Sequence, residues 1–146
     1  MVVSITSLQL GPRAWSKGLL RDFQEGTFLL VVSTAVAAEV AAAYEAVQIQ
    51  YDDFLDLKPE ILEVTEQAIA LAEAYQHRQI LTPQYYTAGL HIAIATVAEV
   101  DVLVSWNFKH IVHFNKIRLF NAVNLEMGYK PIQIFSPREV MTYGAD

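Results

Sequence analysis

A short apolar stretch, Val102-Leu103-Val104, runs into a polar corner, Ser105-Trp106-Asn107, and then into a basic, histidine-bearing segment with Lys109, His110 and His113. Residues of this kind just past the end of a strand are placed for chemistry. In open α/β sheets, ligands bind beyond the carboxyl ends of the strands. Lys109, His110, Lys116 and Arg118 can form a basic rim that touches phosphates, or can simply be solvated polar surface. Trp106 can stack on a base or pack beneath its loop. His110 and His113 lie three apart and can share a helical face, but a metal pair needs a third ligand, and no third ligand is evident.

Other candidates lie earlier in the chain. Glu39 stands among Val36, Val40 and many alanines, where a carboxylate either faces water or needs a partner. His91 lies on an apolar helical stretch and reads first as a core histidine. Asp52, Asp53 and Asp56 are close together, but their spacing fits no calcium loop. There is no hydrolase elbow, glycine-rich phosphate loop or dinucleotide fingerprint. The chain has no cysteine, which excludes disulfides, thiolate metal sites and cysteine nucleophiles.

These residues must be held by alternating strands and helices. Val2 to Ile5 and Phe28 to Val32 are short apolar runs that read as buried strands. Gly11-Pro12 breaks the chain. Trp15, Leu19, Leu20 and Phe23 recur at helical spacing until Glu25-Gly26. Ser33-Thr34 caps an alanine-rich helix expected from Ala35 to about Val47. The acidic stretch from Gln50 to Pro59 reads as a loop or single turn, and Leu62 to Val64 as a short extended piece. Thr65 caps an amphipathic helix to His77. A further helix is expected from about Pro83 to Glu99, another from Asn115 to Met127 closed by Gly128, a strand from Ile132 to Phe135, and a final short helix opened by Ser136-Pro137. This alternation over residues 1–146 predicts one α/β domain with a parallel sheet covered on both faces.

The chain has 146 residues and a net charge of −6, unevenly distributed. Residues 1–105 carry 5 Lys/Arg against 13 Asp/Glu, whereas residues 106–146 carry 5 against 3. The overall acidity argues against tight non-specific nucleic-acid binding, while leaving room for a local basic patch. No apolar run has bilayer length and no secretory leader is evident, so the expectation is a cytoplasmic protein without a membrane partner.

Several segments together resemble the PIN-domain proteins of the VapC toxin type. They are Leu90-His91-Ile92-Ala93-Ile94-Ala95, the run from Asp101 to His110, Asn121-Ala122-Val123-Asn124, Gly128-Tyr129 and Ser136 to Val140. The likeness covers about residues 81–141. It is traceable from Phe23 to Glu39, through Glu25-Gly26-Thr27-Phe28 and Val32-Ser33, and is faint at the N-terminus. It implies a three-layer α/β/α sandwich with a mostly parallel five-stranded sheet. It also implies a metal-dependent endoribonuclease, commonly paired with an antitoxin, that holds magnesium or manganese in an acidic cluster. The chemical need is clear, because carboxylate-bound hard cations activate the attacking water and neutralise charge on the phosphodiester.

Against that pattern the chain lacks two acids. Ile5 stands where the family has its first Asp, in Ile5-Thr6-Ser7, and Ala88 stands at the third acidic position. Glu39 keeps the second, and Asn107 occupies the fourth. Asp101 falls at the start of its strand, at the far end of the sheet from the site, where a structural role is expected. The remnant site is therefore Glu39 and Asn107, which would hold magnesium or manganese weakly if at all, with Ser7, Ser105, Trp106, Lys109 and His110 as candidate RNA contacts. Asn121 and Asn124 are expected to hold the Asn107 loop, with contact to a ribose or base as the alternative. The expectation is an impaired ribonuclease. An active endonuclease of a toxin–antitoxin pair and a non-catalytic RNA- or protein-binding module are the alternatives. Trp15, Leu19 and Leu20 offer a face through which two copies could pair as a homodimer.

Overall fold

The computed structural model describes residues 1–9 and 13–141. Five strands form one sheet: β1 (Val2–Thr6), β2 (Leu29–Ser33), β3 (Glu60–Leu62), β4 (Val102–Ser105) and β5 (Gln133–Phe135). Their order is β3-β2-β1-β4-β5, and every pairing is parallel. Parallel neighbours require crossovers, which the helices supply. These are α1 (Arg13–Gln24), α2 (Thr34–Ala41), α3 (Glu45–Leu55), α4 (Glu66–His77), α5 (Tyr86–Val97), α6 (Phe114–Glu126) and α7 (Pro137–Val140). The result is the three-layer α/β/α arrangement expected from the sequence.

Strand alternation separates two cores. Val31, Leu103 and Ile134 point into one, against α4, α5 and α6. Val3, Ile5, Val32, Val102 and Val104 point into the other, against α1, α2 and α3. Leu19 is fully buried in the second core and Trp15 and Leu20 pack against it, so the helical face suggested for pairing two copies is used within the fold.

Local signals explain most boundaries. The Thr65 hydroxyl accepts from Ala68 N at 3.1 Å and opens α4. Gly26 and Gly128 adopt positive φ, 76° and 88°, where each helix has ended. Ser136 and Glu139 form a reciprocal capping box around α7. Pro83–Tyr85 is a separate 3₁₀ turn before α5.

Two expectations require correction. The helix predicted from Ala35 to Val47 stops at Ala41, and the acidic stretch read as a loop is mostly helix α3. The Gln48 side-chain amide donates to the carbonyls of Val40, Ala41 and Ala43 at 3.1 to 3.4 Å, satisfying the end of α2 from the next helix. Val47, Tyr51 and Phe54 then bury one stripe of α3, leaving Asp52, Asp53 and Asp56 on its exposed side. The break expected at Gly11-Pro12 lies outside the described residues. Among the described residues, no helix is long and apolar enough to cross a membrane.

Candidate functional site

The carboxyl edge of the sheet gathers polar side chains that the sequence scatters. Thr6 pairs in register with Ser105, and the β1–β2 register, which sets Ser4 beside Val31, brings Thr6 level with Ser33. By alternation, all three hydroxyls lie on the face covered by α4, α5 and α6. Thr6, Ser33 and Ser105 are each buried.

Above this edge, Glu39 from α2 meets His91 from α5. The distance between Oε2 and Nε2 is 3.0 Å. The His91 side chain is only 1% exposed, whereas that of Glu39 is 32% exposed. The contact spans the mouth of the sheet, because α2 is anchored in one core through Val36 and Val40 and α5 in the other through Ile92 and Ala93. Thr6 Oγ1, Ser33 Oγ, the second Glu39 oxygen Oε1 and His91 Nδ1 are enclosed, and none has a hydrogen-bond partner among the described residues. Ser7, next to this cluster, holds a left-handed backbone with φ 54° and is buried. A non-glycine residue in that region stores a small amount of strain.

The expected site residues separate in space. Ile5 is fully buried and faces the α1–α3 core, on the opposite side of the sheet from His91. Ala88 is buried in α5 within the other core. Asn107 is committed to its own loop. Its backbone N donates to Ser105 Oγ at 3.0 Å, its Oδ1 accepts from His110 N at 3.0 Å, and its carbonyl accepts from Val112 N at 2.8 Å. Among the described residues, no hydrogen bond or ion pair joins Asn107 to Glu39. The group that does approach Glu39 is His91.

Three of the residues expected to contact RNA are enclosed. Ser7 and Ser105 are buried. Trp106 is 3% exposed and packs edge-on against Phe54 at 6.5 Å between centroids, so it anchors the corner and does not present a stacking face. Lys109 and His110 do reach the surface. The His110 ring lies 3.8 Å from Tyr85 between centroids, and Lys109 Nζ is 6.0 Å from the same ring. Burial against Tyr85, followed by the charges of Lys109, Lys116 and His113, holds the His110 imidazole below the usual histidine range. His113 caps α6 instead of sharing a helical face with His110; its Nδ1 accepts from Lys116 N at 3.5 Å.

Asn121 and Asn124 do not hold the Asn107 loop. Asn121 exchanges two hydrogen bonds with the backbone of Ile132, at 2.8 and 3.1 Å, and so fixes the entry to β5. Asn124, fully buried, donates to Asn121 at 3.1 Å and accepts from the Tyr75 hydroxyl, tying α6 to α4. Burial drives that phenol well above the ordinary tyrosine range. Asp101 has the structural place expected of it. Its carboxylate accepts from Val2 N at 2.6 Å at the amino edge of the sheet.

The Thr6–Ser33 hydroxyl pair and the Tyr85–His110 stack were not anticipated. The two hydroxyls each end an apolar strand run, a signal present in the sequence. The stack joins segments 25 residues apart and has no local signal.

No protein-family model matches the chain, and no curated protein matches it.

Proposed function

We propose that the chain is a VapC-like PIN-domain relative whose nuclease site has degenerated, leaving little or no metal-dependent RNA hydrolysis. The parallel α/β/α architecture and the motif segments from Leu90 to Val140 support the family reading. The observation that carries the loss of activity is the engagement of Glu39 by His91. The one carboxylate retained at the mouth has an oxygen against a buried imidazole, while Ile5 and Ala88 contribute side chains without donors.

Magnesium and manganese need several charged oxygen ligands. One carboxylate with the neutral hydroxyls of Thr6 and Ser33 does not suit them. What remains on this reading is a binding role in the cytoplasm. Lys109, His110 and Tyr85 offer a cationic, aromatic corner beside the mouth for RNA phosphates and bases, and an antitoxin-like chain is the alternative occupant.

The test is cleavage of single-stranded RNA with added magnesium or manganese, alongside titration calorimetry with each ion. No ion-dependent cleavage and no measurable heat of binding are expected. Clear ion-dependent cleavage that disappears in Glu39→Ala would overturn the proposal and favour an active endonuclease.

A further inference from the structure

Two acid-free stretches of an acidic chain meet past the carboxyl end of β4. No Asp or Glu stands between Asp101 and Glu126, or between Glu73 and Glu99, although the chain carries a net charge of −6. The fold sets one stretch against the other. Tyr85, in the turn before α5, holds the His110 ring at 3.8 Å between centroids, and Lys109 Nζ lies 6.0 Å from the same Tyr85 ring. Lys116 Nζ donates to the Ile80 carbonyl, a neutral partner that fixes the ammonium without cancelling its charge. His113 accepts from Lys116 N at Nδ1, so its neutral ring carries the proton on Nε2 and keeps a donor there. The charged neighbours that act on the His110 ring are Lys109, Lys116 and His113, all of them basic.

These groups select among anions. Two ammonium groups, with imidazole donors beside them, match a dianion. An internal phosphodiester carries a single negative charge, whereas a phosphate monoester carries about 1.5 to 2 at pH 7. The aromatic pair favours a ligand with a flat π surface over the carboxylates of an acidic peptide. Phe114, next in the chain after His113, is 75% exposed and has the Arg118 guanidinium 5.8 Å from its ring centroid. Cations and aromatic rings thus continue along the first turns of α6.

We propose that the Tyr85–His110 corner is a site for the phosphate monoester of a nucleotide, with Lys109 and Lys116 on the phosphate and the aromatic pair beside the base. The choice of a nucleotide rests on the RNA-binding reading above. The same chemistry is offered by the phosphorylated end of an RNA strand and by a free mononucleotide.

Fluorescence anisotropy of the full chain, with a chelator present, separates these sources. The probes are one short single-stranded RNA prepared with a 5′-phosphate, a 3′-phosphate or neither, and the competitors are a nucleoside monophosphate, its nucleoside and a polyglutamate peptide. One phosphorylated end is expected to bind about tenfold or more tighter than the bare strand, and the monophosphate to compete far better than the nucleoside. Lys109→Gln, an exposed change, should remove most of that preference and lower the salt dependence by about one ion. Lys58→Gln, at the opposite edge of the sheet, should change neither. Tyr85→Leu should weaken the monophosphate about tenfold while leaving the ratio between phosphorylated and bare strands in place. Competition by the monophosphate, lost in Lys109→Gln, without binding of any strand would support the site and refute the RNA reading. Equal binding of phosphorylated and bare strands overturns the proposal and leaves the RNA reading standing. Polyglutamate competing as well as the monophosphate overturns the proposal, and binding of neither strand nor monophosphate overturns both.

Discussion

The two ends of the sheet treat their acids differently. At the amino edge, Asp101 accepts from Val2 N, and Asp101 N in turn donates to the Val2 carbonyl at 3.0 Å, so β1 and β4 are clasped at their start. This acid is used for structure. At the carboxyl edge, Glu39 and His91 each use one polar atom on the other, and each has a second that is enclosed without a partner among the described residues, as are the single hydroxyls of Thr6 and Ser33. Buried polar groups are ordinarily satisfied. This cluster lies at the edge where open α/β sheets bind ligands.

The comparison can be tested by substitution. The largest effect is expected from placing an acid at position 5. Ile5→Asp would place a carboxylate in an apolar core on the far side of the sheet from His91, and should cost about 4 kcal/mol or more of folding stability, read by urea denaturation. An intermediate effect should come from opening the cross-layer contact. Glu39→Ala leaves a buried imidazole without its partner and should cost about 1–3 kcal/mol, whereas Asp101→Ala, at the exposed amino edge, should cost about 1 kcal/mol or less. If Asp101→Ala is the more damaging of the two, the contrast between the edges fails.

The smallest effect concerns the rim. Burial and neighbouring cations favour the neutral His110 ring in the folded state. The unfolded chain therefore binds this proton at a higher pH than the folded one does. The stability that His110 contributes is present above about pH 6.5 and is lost as pH falls through the window below it. A proton NMR titration should place the His110 midpoint below the ordinary histidine value. Lys109→Ala should move it partway back and leave the rest, since burial is the larger cause.

Much of this arrangement was legible where a local signal coincided with tertiary need. Thr65 before an amphipathic run gave α4, and apolar runs ended by hydroxyls gave β1, β2 and β4. The break between α2 and α3 was not legible, because no Gly or Pro marks it and Gln48 supplies the cap from the following helix. The acidity of the 50–59 stretch masked the Val47, Tyr51 and Phe54 periodicity beneath it. At the mouth, Glu39 and His91 could each be named as polar residues in apolar surroundings. Their pairing spans 52 residues and depends on two crossovers, so neither position announces the other. The asparagine pair misled for the same reason, since Ile132 is brought to Asn121 only by the turn after Gly128.

The central place of β1 also bears on how the chain comes off the ribosome. Among the described strands β1 comes earliest in the chain, yet it sits between β2 and β4, and β4 begins only at Val102. One flank of β1 must therefore wait until synthesis has passed Val102. During that interval Val3 and Ile5 lie in a strand with one open side, which exposes the nascent chain to wrong pairing and slows its maturation.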